Sequence, residues 1–162
     1  MKPRDLRDHK KVSKQLTAIP VFKPLKRNSL PKPFKKFGGP RFWSSGMIDV
    51  SAEHVVMMLW RDGDILTDRS FYAYLLCTRS DGKLSPLCEF HWHPSHKGFH
   101  CKTPCQSNVD YTNRLLVQAQ ELRLTTDDRL DPREELDRNK LVIRFCEITG
   151  IALPTSDSRS EQ

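Results

Sequence analysis

Apolar and polar residues alternate from Leu84 to His93, which is the pattern of a β-strand buried on one face. The alternation resumes after residues 94–98 and continues to Lys102. We therefore predict an antiparallel hairpin, whose register follows when apolar residues are placed opposite one another. The predicted facing pairs are Phe99 with Trp92, Cys101 with Phe90, His100 with His91, and Lys102 with Glu89.

The preceding apolar segment, residues 71–78, leads into Asp81-Gly82, a dipeptide typical of a two-residue hairpin loop. That loop pairs Leu75 with Cys88, Phe71 with Trp92, Tyr72 with His91, and Tyr74 with Glu89. The two hairpins rest on separate turns, yet they agree on which face is polar. We expect this face to be open and to carry two tyrosines, three histidines, a glutamate and a lysine: Tyr72, Tyr74, His91, His93, His100, Glu89 and Lys102.

The apolar segment before these strands is ambiguous. Met47–Trp60 could contain a short helix capped by Ser51, or a first strand over Glu53–Trp60 that turns at Asp62-Gly63. We favour the strand, since a second Asp-Gly pair then follows the same logic. Val55–Trp60 is continuously apolar, which indicates burial on both faces or a bulge.

After the hairpins the apolar spacing becomes helical. One helix is expected to start at Ser107 or Asp110 and to reach Leu122. Another should begin at 131–134, Asp-Pro-Arg-Glu, and end at a left-handed Gly150. The buried stripe of the second helix would be Leu141, Phe145 and Ile148.

These elements predict an α+β fold, with an antiparallel meander of three to four strands and two C-terminal helices packed on one face. The domain would span residues 47–153, followed by a flexible tail over 154–162. Residues 1–46 would form a basic, proline-rich extended arm. Apolar and aromatic residues recur in this arm, so it could pack along the domain, along a partner, or against exposed bases.

Positive charge is concentrated in this arm. The chain has a net charge of +7, but residues 1–41 carry thirteen Lys or Arg against two Asp, a net of +11, and the remainder is at −4. Such a segment typically binds nucleic acid, although a solvated tail is an alternative. The residues expected to contact nucleic acid are Lys23, Lys26, Arg27, Lys32, Lys35, Lys36, Arg41 and Lys97. The arm or an exposed sheet edge could instead bind a protein partner.

The composition also indicates the compartment. No segment has the apolar length that a membrane span needs, and the N-terminus lacks an apolar signal core. The five cysteines are odd in number and fall mostly on predicted core positions, which favours a reduced, cytoplasmic protein over a disulfide framework.

The histidines suggest a first kind of chemistry. Two imidazoles on adjacent strands could act as general base and general acid at a phosphodiester, because imidazole titrates near neutral pH. Lys102 or Lys97 would stabilise negative charge on the phosphorane oxygens, and Tyr72 would position the phosphate or donate a proton. The candidate catalytic residues are His91, His100, Lys102, Tyr72 and Glu89, with His93 and His96 as alternates.

A metal site is the second alternative. His91-x-His93 with His100 could bind zinc, with Glu89 as a fourth ligand or as a base. A variant combines Cys101 and Cys105 with His96 or His100, but no Cys-x2-Cys pair supports it. Apart from zinc, no cofactor is expected. A third alternative is a binding face without chemistry.

The short meander with a His-Pro…His-Lys turn, followed by helices, resembles the small toxins of bacterial toxin–antitoxin pairs, such as the TumE-like group. The resemblance covers Ser70–Cys105, the turn residues differ, and no site residue is carried over. It implies a nucleic-acid substrate and a protein partner. The expected function is therefore a small nucleic-acid-interacting protein, with a histidine-dependent ribonuclease of toxin type as the leading activity. The alternatives are a non-catalytic module of a nucleoprotein assembly and a zinc-binding nucleic-acid module.

Overall fold

The computed structural model describes residues 11–30, 34–35, 37–93, 98–102 and 130–154. In the described residues the first two strands have two residues each, β1 (Lys14–Gln15) and β2 (Lys23–Pro24). The longer strands are β3 (Phe42–Asp49), β4 (His54–Arg61), β5 (Ser70–Thr78), β6 (Leu84–His93) and β7 (Gly98–Lys102). The helix α1 (Glu135–Thr149) and the two-residue strand β8 (Ile151–Ala152) follow.

Strands β3 to β7 form an antiparallel sheet in chain order, and β2 extends it beside β3. Strands β1 and β8 form a separate parallel pair. The predicted α+β class with an antiparallel meander is thus confirmed. The count of three to four strands is too low, because residues 42–46, which the sequence analysis placed in the arm, begin the additional strand β3. One helix lies in the described part of the chain, and the other predicted helix falls in residues 103–129, outside it.

Strand β4 explains how the sheet is covered on both faces. Val56, Met58 and Trp60 point into one core, while Val55 and the other intervening residues point into a second. The prediction of burial on both faces is confirmed. The first core, here called the helix-side core, packs the sheet against α1, and it contains Val56, Met58, Phe71, Leu75, Phe90, Leu141 and Phe145. The second, the arm-side core, contains Leu25, Leu30, Phe34, Val55, Met57, Leu59, Tyr74 and Leu76.

All eight predicted strand pairs are observed, among them His91 opposite His100 and Tyr72 opposite His91. The predicted two-residue loop is nevertheless wrong. The Arg79 N–H donates to the Lys83 carbonyl at 2.8 Å, and Gly82 adopts a φ of 82°, which gives a three-residue loop.

A β-bulge offsets the one-residue change in strand register that the longer loop causes. The register shifts by one residue between Leu75 and Leu76, so that Leu87 is the extra residue on β6. Leu87 therefore joins the helix-side core and Leu84 contacts the arm-side core, opposite to the faces that simple alternation predicts.

The helical alternative for Met47–Trp60 is wrong, because this segment holds the end of β3, a turn and most of β4. Ser51 caps the turn rather than a helix: its Oγ accepts the N–H groups of Glu53 and His54 at 3.2 and 3.0 Å. The expected hairpin turn at Asp62-Gly63 is also replaced by an eight-residue connection, residues 62–69, which includes a 3₁₀ turn at Leu66–Asp68.

Helix α1 starts a few residues later than predicted. The carboxylate of Asp131 accepts the Arg133 N–H at 3.0 Å, so residues 131–134 form a turn before the helix. The C-terminal features are confirmed: Gly150 is left-handed with a φ of 72°, and the stripe of Leu141, Phe145 and Ile148 is buried. Leu141, Phe145 and Ile148 thus pack in the helix-side core.

Candidate nucleic-acid interface

The arm is folded onto the sheet over the described part of residues 25–39. Leu25, Leu30 and Phe34 are each no more than 7% exposed and pack in the arm-side core. The Leu25 N–H donates to the Phe42 carbonyl at 2.8 Å, and the Gly39 N–H donates to the Leu25 carbonyl at 2.9 Å. The arm is therefore held by main-chain hydrogen bonds as well as by apolar contacts.

Gly38 allows the arm to close on itself. Its φ is 133°, and a Cβ at this position would lie 2.6 Å from the Lys26 carbonyl oxygen. Any other residue would clash with the backbone of Lys26 and Arg27, in a conformation that L side chains rarely adopt. The glycine therefore fixes the position of the basic residues nearby.

Cations point outward from this anchored arm. Five of the residues predicted to contact nucleic acid are exposed: Lys23, Lys26, Arg27, Lys35 and Arg41. We call these five the basic arm surface. No Asp or Glu occurs in the sequence between Asp8 and Asp49. The ion pair of Arg41 with Asp64 is exposed, with atoms 3.7 Å apart, so it is weak. Lys32, Lys36 and Lys97 lie outside the described residues.

The face of the sheet that carries His91 brings three of the predicted catalytic residues together. The rings of Tyr72 and His91 meet edge-to-face with centroids 5.0 Å apart, and His91 Nε2 lies 4.0 Å from Glu89 Oε2. The Ser70 hydroxyl donates to the Tyr72 phenol oxygen at 3.0 Å, which fixes the direction of that ring. Tyr72, Glu89 and His91 thus form a compact polar group, here called the histidine cluster.

The expectation that this face is open is wrong. The side chains of His91 and Glu89 are 14% and 24% exposed, and Tyr74 is buried. The covering residues come from the arm. The ring centroids of Phe34 and Tyr74 are 4.7 Å apart, and those of Phe37 and Tyr72 are 5.7 Å apart. Apolar residues among the charges of the arm were the signal for this contact, and packing along the domain was one of three alternatives.

Burial also determines the ionisation of Tyr74. Loss of solvent raises the pKa of its phenol well above the usual value, and the nearby Glu89 and Tyr72 raise the pKa further. The phenol of Tyr74 therefore stays protonated at alkaline pH where a free tyrosine ionises, and its ring packs between His91 and Phe34.

His100 and Lys102 are placed only by backbone register. They stand opposite His91 and Glu89 across β6 and β7, and His93 stands opposite Gly98. Their side chains, and all of His96, lie outside the described residues. The backbone thus places His91 and His100 side by side, while their imidazole geometry stays a prediction.

The proposed metal site is described only in part. Among the residues that the structure describes, no three His, Cys, Asp or Glu side chains converge as a metal site would require. The side chains of His93, His100, Cys101 and Cys105 are not among them, so the proposed zinc ligands stay a prediction. Cys88 and Cys146 pack in the helix-side core, and burial raises the pKa of the Cys146 thiol to about 12.

Sequence reasoning missed one feature beside the basic arm surface. A bulge in β3, between Ser44 and Met47, opens a pocket of about 500 Å³ between that strand and residues 21–30 of the arm. The only signal in the sequence was Ser44-Ser45-Gly46, a run of small residues inside what proved to be a strand.

No α-helix in the described ranges has the length and apolarity to cross a membrane. Comparison with known proteins gives no relative: no protein-family model, no curated protein and no solved structure matches this chain.

Proposed function

We propose that this protein binds nucleic acid through the basic arm surface. The observation that carries the proposal is the division of side chains along the arm. Leu25, Leu30 and Phe34 are buried against the sheet, whereas the five cations between them and beside them are exposed. A solvated tail would have no reason to bury its apolar residues.

An anchored surface binds a polyanion better than a loose tail with the same charge. The backbone that carries the cations is already folded on the sheet, so less backbone conformational entropy is lost when they contact phosphates. Each phosphate contact also releases condensed counterions, which makes affinity dependent on salt. The absence of acidic residues between Asp8 and Asp49 leaves this local field uncompensated by the arm itself.

Fluorescence anisotropy with labelled single-stranded RNA, single-stranded DNA and duplex DNA tests this proposal. The variant Lys26→Gln/Arg27→Gln/Lys35→Gln removes three exposed arm cations. A matched control, Arg79→Gln/Lys83→Gln/Lys140→Gln, removes three exposed cations elsewhere.

The arm variant should bind at least tenfold more weakly in low salt, while the control should stay within about threefold of wild type. Equal losses in both variants would show that only the net charge matters. Absence of binding by wild type would leave the non-catalytic protein-binding module as the better account.

A second function, cleavage of RNA at the histidine cluster, is favoured by one specific observation. The backbone register sets His91 opposite His100, and the rings of His91 and Tyr72 pack edge-to-face with centroids 5.0 Å apart. Two imidazoles on adjacent strands suit general acid–base catalysis, in which one takes the proton from the attacking 2′-hydroxyl and the other protonates the leaving 5′-oxygen. Lys102, opposite Glu89, would stabilise the charge that develops on the phosphorane oxygens.

Phe37 limits how RNA can reach the histidine cluster. Its ring packs on Tyr72, so it restricts the access of RNA to His91 from the side of the arm. Because the basic arm surface and Phe37 belong to the same arm, a strand bound by the arm would lie next to the cluster.

Gel analysis of labelled RNA with wild type, His91→Gln and His100→Gln tests the activity. Loss of cleavage in both variants with RNA binding retained supports it. Tyr72→Phe keeps the ring contact and removes the hydroxyl, so it separates packing from proton donation. Wild type that binds RNA and cleaves none would reject the activity and leave the binding function intact.

A further inference from the structure

We propose that the pocket between β3 and the arm binds one unstacked base of a single-stranded nucleic acid lying on the basic arm surface. This inference rests on the proposed function. The pocket has a volume of about 500 Å³, and it is lined by arm residues on one side and by the β3 bulge on the other. Sites for small organic ligands typically measure about 300–1,000 Å³, so a nucleotide unit fits.

The β3 bulge preforms one wall. The register of β3 shifts between Ser44 and Met47, directly after Ser44 pairs with Lys23 of the arm, and Gly46 adopts a φ of 72° there. A Cβ built on Gly46 would meet no atom within 4 Å, so this position borders open space.

Hydrogen bonds within the bulge keep it in this shape. The Gly46 N–H donates to Ser44 Oγ at 2.9 Å, and Ser45 Oγ accepts the Met58 N–H at 3.0 Å. Ser45 also donates to the Gly46 carbonyl at 2.9 Å. The wall is therefore fixed before any ligand arrives, which lowers the cost of binding.

The opposite wall has the mixed chemistry that a base requires. Leu25 and Leu30 are both 7% exposed and present apolar surface that is already held in the arm-side core. Ser29 lies beside them, and its hydroxyl donates to the Lys26 carbonyl at 2.6 Å, which leaves the oxygen able to accept from an exocyclic amine. A nucleobase can pack its ring face on these leucines and form a hydrogen bond with Ser29 through its ring edge.

The rim selects a ligand with negative charge. Lys23 lines the pocket and is exposed, and Lys26 and Arg27 follow on the same arm. The sequence has no acidic residue between Asp8 and Asp49. A base with its phosphate matches this apolar wall and cationic rim. A single strand is favoured over a duplex, because only unpaired bases can leave the stack at little cost.

The variant Val21→Trp tests the proposal in the full-length chain. Val21 lines the pocket and is 72% exposed, so an indole at this position fills the space without entering a core and without changing charge. The matched control is Ile65→Trp, which is 59% exposed in the connection between β4 and β5. Both variants should melt within about 2 °C of wild type, since exposed substitutions scarcely alter stability.

Val21→Trp should weaken binding of single-stranded RNA or DNA by about tenfold or more, because the indole takes the space that the base would occupy in the pocket. Its salt slope and its affinity for duplex DNA should match wild type, and Ile65→Trp should change neither affinity. Unchanged single-strand affinity in Val21→Trp, with wild type binding normally, overturns the pocket. Wild type that binds no nucleic acid at all rejects the proposed function instead.

A second measurement does not depend on the variant. Ultraviolet crosslinking of an RNA containing 4-thiouridine, followed by peptide mass spectrometry, should label residues 21–30, and labelling confined to other peptides would contradict the proposal. Competition by free uridine or adenosine monophosphate at micromolar concentration would assign the pocket to a mononucleotide and overturn the strand as its ligand.

Discussion

Phe34→Ala tests whether the arm is part of the folded domain. Phe34 is 3% exposed, its ring lies 4.7 Å from Tyr74, and it shares the arm-side core with Leu25 and Leu30. Truncation of a buried phenylalanine typically costs about 3–5 kcal/mol. We expect the lower end, about 3 kcal/mol, because the arm can detach while the helix-side core stays folded.

Two observables follow from that magnitude. For a chain of this size, a loss of about 3 kcal/mol lowers Tm by roughly 6–12 °C. Hydrogen exchange should accelerate at the Leu25 and Gly39 amides, which donate to Phe42 and Leu25. The amides of β5, between two other strands, should exchange at nearly the wild-type rate.

Ile65→Ala provides the matched control, because Ile65 is apolar but 59% exposed. It should leave Tm and exchange unchanged. If Phe34→Ala also left Tm and the exchange of Leu25 and Gly39 at wild-type values, the arm would not be packed on the sheet.

Three further predictions concern the framework around the site. Ser51→Ala should destabilise the chain by about 1–2 kcal/mol in urea unfolding, because the hydroxyl caps the β3–β4 turn and hydrogen-bonds to His54 Nδ1 at 2.8 Å. Arg69→Met should cost about 1–3 kcal/mol by the same assay, because it leaves the carboxylate of Asp131 without its 2.7 Å ion pair in a mostly buried position. Tyr74 should make stability fall as pH rises past about 10, since the phenol then ionises in the unfolded chain and stays protonated in the folded one.

Each of these has an internal control. Ser80→Ala, in the exposed β5–β6 loop, and Arg133→Met, whose 3.9 Å ion pair with Asp62 is half exposed, should each cost less than about 0.5 kcal/mol. Tyr74→Phe should make the alkaline loss of stability smaller than in wild type, while the Cys146 thiol, whose pKa burial also raises, keeps its own part of that loss. A slope above about pH 10 that is unchanged in Tyr74→Phe would contradict the prediction.

The central hairpins were predictable because their signals are local. Alternation over residues 84–93 and the apolar-to-apolar rule are sufficient to place His91 opposite His100. The C-terminal end of α1 was equally predictable, because its signals, Gly150 and the apolar stripe that ends at Ile148, lie close together in the sequence. The alternation thus recovered the β6–β7 pairing, whereas the predicted β5–β6 pairing is right only because the bulge at Leu87 offsets the longer loop.

The errors arose where distant residues decide the outcome. Leu87 is bulged because a longer loop must be reconciled with the pairing of Tyr72 and Phe71 further along the strands. The polar face is covered because Phe34 and Phe37, about forty residues earlier in the chain, pack on Tyr74 and Tyr72. No periodicity within β5 or β6 contains that information.

The salt dependence of RNA binding tests the central claim most directly. If the five cations of the basic arm surface contact phosphates, log Kobs should fall with log salt at a slope of about −3.5 for a single strand. Lys26→Gln/Arg27→Gln/Lys35→Gln should reduce the magnitude of that slope by about 2, and the control triple variant should leave it unchanged. A wild-type slope near zero, or one that the arm variant does not alter, would contradict the account.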